Sequence, residues 1–242
     1  MYANHITALT VQLQPEAEPE ETGRDAGMRP MMRLLTTGDV RVLYDGMAGN
    51  WRLLGMVDAL LMVNRLRKKH FSSATGDVLD VACGTGENFE HVEQCRSVTA
   101  FDLSPEMVNQ AQRRARQMRM EVRLMVGDAQ EMPFADHSFD TVISALSSCT
   151  FPDHRAAFTE MVRVTKPGGR ILLLEHGRSS AGWIARRQDR NIERVYRRSA
   201  CRNNRDVPLE LKQAGLNVVA LQISHLGMMN RVTIGVDQET LR

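Results

Sequence analysis

Seven consecutive residues, Asp80-Val81-Ala82-Cys83-Gly84-Thr85-Gly86, follow a short apolar run. Glycines at such a junction let the backbone turn tightly and approach a ligand without an intervening Cβ. The N–H groups that open a following helix can bind an anion such as a carboxylate. An ordinary strand–turn–helix junction would read the same, but two further apolar runs shift the balance. One ends in Asp102, 16 residues after Gly86, near the spacing at which an acid takes both hydroxyls of a ribose. The next ends in Gly127-Asp128-Ala129, which can bring a carboxylate to an adenine amino group. Three successive strand ends thus offer a turn, an acid for ribose and an acid for adenine, and they predict an adenosine-type cofactor. A dinucleotide is the runner-up reading. The third glycine position of its G-x-G-x-x-G fingerprint is Phe89, and Tyr196 is followed four residues on by Ala200 rather than by a lysine.

The elements that must hold these residues alternate in character. Apolar, strand-like runs occupy Val78–Ala82, Val98–Asp102, Val122–Val126, Thr141–Ala145 and Arg170–Glu175, with helical stretches expected near 87–95, 105–119 and 154–165. Such alternation predicts a parallel sheet flanked by helices on both faces. The C-terminal part changes pattern. After a helix near 206–214 ending at Gly215, Val218–Ile223 and Val232–Val236 read as two strands joined around Gly227, most simply antiparallel. Before the first strand, residues 36–70 carry helical signals. Trp51, Leu54, Val57, Leu61 and Met62 share a face, and Arg65, Arg67, Lys68 and Lys69 favour a helix C-terminus. Residues 1–29 read as an arm. Leu9, Val11 and Leu13 alternate like a weak strand, and an acidic stretch with Glu16, Glu18, Glu20, Glu21 and Asp25 follows. Disorder, an edge strand and a homodimer contact through the arm all fit this pattern.

Composition narrows the classes. The chain has 242 residues, 43% hydrophobic and 25% charged, with a net charge of +2, so nothing global calls for nucleic acid or membrane as a partner. Cys83, Cys95, Cys149 and Cys201 form no CxxC pair and no metal-ligand spacing, and are expected to be reduced thiols of a cytoplasmic protein that needs no metal. Leu53–Val63, the most apolar stretch, is too short and carries Asp58, against the ~20 apolar residues that span a bilayer.

The segments VLDVACGTGENF (78–89), VTAFDLSPEMVNQAQRRA (98–115), GDAQEMPFADHSFDTVIS (127–144) and RVTKPGGRILLLEH (163–176) resemble the successive motifs of class I S-adenosylmethionine methyltransferases. They closely resemble the ubiquinone/menaquinone methyltransferase-like branch. The resemblance spans about residues 40–237. It implies an α/β fold: a Rossmann-like, seven-stranded, mostly parallel sheet with a C-terminal antiparallel hairpin and helices on both faces. It divides the chain into the 1–29 arm and a 30–242 methyltransferase domain, with a helical lid at 30–70 and a basic acceptor-side insertion at 177–206. The implied cofactor is S-adenosyl-L-methionine. Gly84 and Gly86 would contact its methionine part, with Asp80 reaching the amino group through water and Ala82, Cys83 and Asn88 in the same loop. Asp102 would bind ribose, and Leu103, Met107, Asp128 and Ala129 would surround adenine, although Leu103, Met107 and Ala129 also suit ordinary core packing. Ser144 would close this set at the end of strand four. Tyr44, in VLYDGMA, resembles a tyrosine that closes over the cofactor carboxylate.

The stretch 175–206 is similar to alkyl-thiol methyltransferase relatives, through Glu175-His176-Gly177-Arg178-Ser179, Gln188-Asp189 and Asn204-Arg205-Asp206. The acceptor implied is a small molecule, with a thiol, phenol or quinol favoured. His176 is the preferred base, since its ordinary pKa near 6.5 suits proton abstraction near neutrality. A structural histidine is the alternative, and Glu175 is a weaker candidate for the base. Cys149 and His154, beyond strand four, are expected either to line the acceptor pocket or to pack as loop and helix residues. Nine arginines lie between Arg178 and Arg205, against Asp189 and Glu193. They suit an anionic acceptor, a peripheral membrane contact or a solvated helix face. A nucleic-acid methyltransferase is disfavoured, because strand four ends in Ser144-Ala145-Leu146-Ser147 and not in the Asn/Asp-Pro-Pro-aromatic motif of adenine methylation. A non-catalytic cofactor-binding scaffold is the remaining reading.

Overall fold

A computed structural model describes residues 33–50 and 63–237 of the chain. The expectations for the 1–29 arm and for the apolar face Trp51 to Met62 lie outside the described residues. Seven strands form one sheet: β1 (Asp77–Val81), β2 (Ser97–Asp102), β3 (Arg123–Val126), β4 (Phe139–Ala145), β5 (Thr165–His176), β6 (Val218–Ser224) and β7 (Met229–Gly235). Their order is β3-β2-β1-β4-β5-β7-β6. The first five pair in parallel, whereas β7 runs antiparallel to both β5 and β6. The expected mostly parallel sheet closed by a terminal hairpin is therefore the observed architecture.

Alternation along the strands sends residues to opposite faces, because side chains repeat with a period of two. Leu79, Val81, Phe101, Val142, Ile171 and Leu173 pack into one buried cluster, and their neighbours Val78, Ile143, Leu172 and Leu174 into another. Both faces are covered, as a parallel sheet requires. The helices among the described residues are α1 (Thr37–Ala48), α2 (Val63–Phe71), α3 (Pro105–Met118), α4 (His154–Val164), α5 (Gly182–Ser199) and α6 (Val207–Gln213). Most begin at a side-chain cap that satisfies backbone N–H groups left open at the helix start. Thr36 and Asp39 form a capping box at α1, while Ser104, Asp153 and Asp206 cap α3, α4 and α6. His70 of α2 bonds the Val232 carbonyl through Nε2 at 2.9 Å, fixing that helix over β7.

One expected helix is absent. The stretch 87–95 forms only a 3-10 turn, Phe89–His91, and not a helix. Only ten residues separate Gly86 from the start of β2 at Ser97, and the chain turns back at Val92, where φ is −130°. Gly86 shows why the turn is so tight. Its φ is +81°, and a Cβ there would sit 2.4 Å from the ring of Phe89, which folds back over it. The loop after β1 therefore offers its own N–H groups and not a long helix N-terminus.

Candidate active site

Parallel strands β1, β2, β4 and β5 all end at one edge of the sheet, and a cavity of about 620 Å³ opens there. That size suits a small-molecule ligand. Two strand ends carry backbone strain at this edge: Ala82 after β1 and Leu146 after β4 adopt φ of +53° and +55°. Non-glycine residues rarely hold this conformation, and it concentrates at functional sites. Both residues line the cavity.

At one end of the cavity Asp102 is the organising group. Its Oδ2 accepts from the Gly84 N–H at 2.8 Å and its Oδ1 from the Ser104 N–H at 2.9 Å. One carboxylate thus ties the β1 loop to the start of α3. Burial pushes its pKa up to about 6, against the pull of these N–H groups. Asp80 lies fully buried behind the same loop. Asn88 donates to its Oδ1 at 2.9 Å, and burial raises its pKa to about 7. Three buried polar atoms in this neighbourhood have no partner: Asp80 Oδ2, Asn88 Oδ1 and Arg67 Nε. Orphaned polar atoms are costly in a dry interior and mark a place where a polar ligand would be satisfied. Arg67, from α2, lines the cavity and pairs with Glu87 at 3.1 Å. Gly84 has φ +56° and open space where a Cβ would stand, so its backbone is free for close approach. Asp128 and Ala129 line the same end, where Asp128 accepts twice from Gln130 at 2.9 Å.

At the other end, Cys149, His176 and Cys201 converge. The Cys201 Sγ lies 3.3 Å from His176 Nε2, and all three residues line the cavity. Burial opposes a proton on His176, yet the negative charge of an ionised Cys149 beside it raises its pKa to about 9. The Cys149 thiol is pulled well below its ordinary value, first by its hydrogen bond with Cys201 and then by His176. Glu175 is buried next to this group but does not line the cavity. Its Oε1 accepts from the Ser148 N–H at 3.2 Å, and burial raises its pKa to about 7.

Helix α1 links the two ends. Asp45 accepts from the Ser104 hydroxyl at 2.5 Å, beside the N-terminus of α3, and Tyr44 donates to the Ser199 carbonyl at 3.2 Å at the end of α5. Thr37, Val40 and Tyr44 form part of the wall.

Of the residues singled out by sequence, the cavity gathers Tyr44, Ala82, Gly84, Asp102, Leu103, Asp128, Ala129, Cys149 and His176, while His154 is not among its lining. Asp80, Cys83, Gly86, Asn88, Met107, Ser144 and Glu175 stand behind that wall. Met107 is fully buried, and the Ser144 hydroxyl donates to the Val81 carbonyl at 2.8 Å, joining β4 to β1. Sequence reasoning missed Arg67, read only as part of a basic helix end. It also missed that Cys149, expected only as a pocket-lining or loop residue, and Cys201 converge on His176, because their spacing along the chain carries no sign of it. Motif 175–206 proves to be the brace behind it. Gln188 donates to the carbonyls of Gly177 and Asn203, at 3.0 and 2.8 Å, while accepting from the Ser179 N–H. Arg178 and Asn204 both reach Asp189. Arg205 is buried against Glu210 and Ser148.

Comparison with known proteins points the same way. Residues 79–173 match a methyltransferase domain family. The chain is 28% identical over 215 residues to the mitochondrial methyltransferase OMS1 of Saccharomyces cerevisiae, covering 81% of this chain and 46% of that protein. It is 36% identical over 142 residues to the demethylmenaquinone methyltransferase of Renibacterium salmoninarum, covering 58% and 54%. The chain thus spans about half the length of these curated relatives. Among solved structures, an S-adenosylmethionine-dependent methyltransferase of Thermotoga maritima superposes with a TM-score of 0.63 at 16% identity, covering 82% of this chain and all of that one. At that identity the likeness is one of fold.

Proposed function

We propose that this chain, whose residues 79–173 match a methyltransferase domain family, moves the methyl group of S-adenosylmethionine to a small-molecule nucleophile. The observation that carries this reading is a single cavity with two unlike ends, one fitted to a nucleoside and an amino acid, the other to a reactive acceptor. The residues fit the cofactor on the evidence of their unsatisfied atoms. Asp80 and Asn88, behind the open backbone of Gly84, offer acceptors suited to an ammonium group, and Arg67 offers a donor for a carboxylate. Asp102 would hold the ribose hydroxyls, and Asp128 with Ala129 and Leu103 would border adenine. When bound, the cofactor supplies a methyl group already activated on a sulfonium.

The protein's own work is alignment and exclusion of water. Orientation of two reactants for in-line displacement can be worth roughly 7–11 kcal/mol. The strained ends of β1 and β4 and the α1 wall fix the approach. The acceptor lies beside Cys149, His176 and Cys201, which is where it is made nucleophilic. Thiols, phenols and quinols fit such an end, because each becomes a strong nucleophile on losing one proton. The demethylmenaquinone methyltransferase relative makes a quinol a natural member of the panel. Methyl-labelled cofactor incubated with thiols, phenols, quinols and amines should label at least one of the first three classes. Tight NADH binding with no methyl transfer to any of them would overturn the reading.

A further inference from the structure

Cys149, His176 and Cys201 are far apart in the chain, yet their ligand atoms all lie within 4.8 Å of one another. Each comes from a different connection. Cys149 lies between β4 and α4, His176 is the last residue of β5, and Cys201 follows the end of α5. The grouping is held by backbone ties and is not an accident of side-chain rotation. The Arg202 N–H, next to Cys201, donates to the Cys149 carbonyl at 3.1 Å. Gln188 bridges the residue after His176 to the loop after Cys201 through its bonds to Gly177 and Asn203. Ala200 closes α5 in a left-handed conformation that swings Cys201 back toward the sheet edge.

The spacing suits a metal ion. Donors at ~2.3 Å for sulfur and ~2.0 Å for nitrogen around a tetrahedral centre stand ~3.5 Å apart. The Cys201 Sγ to His176 Nε2 distance is 3.3 Å. Two thiolates and an imidazole form a soft to borderline set, which selects zinc over magnesium, calcium or manganese. Among the described residues the grouping has three such donors and no fourth. Structural zinc sites close their coordination with four protein ligands, whereas catalytic ones keep a position open. Here all three donors line the cavity, so the open position would face the space assigned to the acceptor.

We propose that Cys149, His176 and Cys201 bind one zinc ion, whose open fourth position takes the sulfur of a thiol acceptor for methylation. This rests on the methyl-transfer reading above and names the acceptor class within it. A thiol that ligates zinc gives up its proton to solvent, since a coordinating thiol is deprotonated outright. A sulfur lone pair then forms the new bond to the methyl carbon. The carbon–sulfur bond of the sulfonium breaks, and its electron pair stays on the departing adenosyl thioether. The methylated product is a neutral thioether, a weaker ligand than a thiolate, and it leaves the ion. His176 acts on this site as a ligand and not as a proton acceptor.

The test uses the full chain, purified under reducing conditions, stripped with a chelator and titrated with cobalt(II). One equivalent should produce thiolate-to-cobalt charge transfer in the near ultraviolet and tetrahedral bands in the visible, both bleached by one equivalent of zinc. Cys149→Ser and Cys201→Ser should each lose the charge-transfer intensity in part, and the double variant should lose it wholly. Calorimetry with S-adenosylhomocysteine on the same samples reports whether each variant is folded. A wild-type chain that binds the nucleoside but gives no thiolate–cobalt band overturns the zinc proposal and leaves the methyl-transfer reading standing. Persistence of the band in a folded double variant overturns it too, by placing the metal elsewhere. Failure of the wild type to bind the nucleoside counts instead against the methyl-transfer reading on which the proposal rests.

Discussion

The two ends of the cavity are built on opposite plans. The Asp102 end is local: Asp80, Gly84, Gly86 and Asn88 lie within nine residues, and Asp102 closes back on Gly84 through one 2.8 Å bond. The Cys149–His176–Cys201 end is assembled from a strand terminus and two loops, and it is held in place by a brace on α5. A local plan repeats whenever the same ligand must be bound. An assembled plan can change its chemistry by altering a loop, which is how one fold serves many acceptors.

If the two ends do separate jobs, damage to each should leave a different signature. The largest effect belongs to the acceptor end. His176→Ala should lower turnover about 10²-fold or more, since a lost ligand costs at least as much as the loss of a group that only orients one. Its affinity for S-adenosylhomocysteine should barely move. A parallel loss of nucleoside affinity, measured by calorimetry, would erase the distinction between the ends.

Asp102→Ala should do the reverse. Losing charge-assisted bonds worth about 2–3 kcal/mol should weaken nucleoside binding about 30- to 150-fold. Zinc or cobalt uptake at the other end should be unchanged. Unaltered nucleoside affinity in this variant would remove Asp102 from the site.

The smallest effect is one of pH. Burial raises Asp80 to about 7 and Asp102 to about 6, so below about pH 6 the free protein holds protons on both where a cofactor needs acceptors. Protons and ligand compete, and nucleoside affinity should fall at least about tenfold from pH 8 to pH 5. Stability of the free protein should respond with the opposite sign. Both folded pKa values lie above the ordinary 3.8, so the folded state binds more protons than the unfolded one between about pH 4 and 7. These two groups therefore make the free protein more stable as pH falls through that window. An affinity that stays flat from pH 8 to 5 would show that neither carboxylate meets the ligand.

Legibility in the sequence followed the same division. Strand positions were readable because period-two apolar runs between turns leave few alternatives, and each expected strand appears within a few residues. The stretch 87–95 forms no long helix because ten residues must return the chain from Gly86 to β2, a constraint that apolar spacing does not carry. Gly84, Asp102, Asp128 and Ala129 line the cavity, as their places at strand ends led one to expect, because strand ends fix their direction. Arg67 was missed because its reach to the cavity depends on how α2 packs over β7, which no local signal states. Gln188-Asp189 and Asn204-Arg205-Asp206 were noticed as a pattern, but their role as a brace needed coordinates.

By itself the sequence determined the sheet, its terminal hairpin and the glycine turn after β1. These rest on contacts between neighbours along the chain or on strand ends whose side-chain direction alternates by rule. Only the tertiary structure decided that Cys149, His176 and Cys201 meet. Their convergence depends on the length of α5, on the left-handed turn at Ala200 and on the bond from Arg202 to the Cys149 carbonyl. None of these leaves a mark in residue spacing, because loops of different length can deliver a side chain to the same point in space.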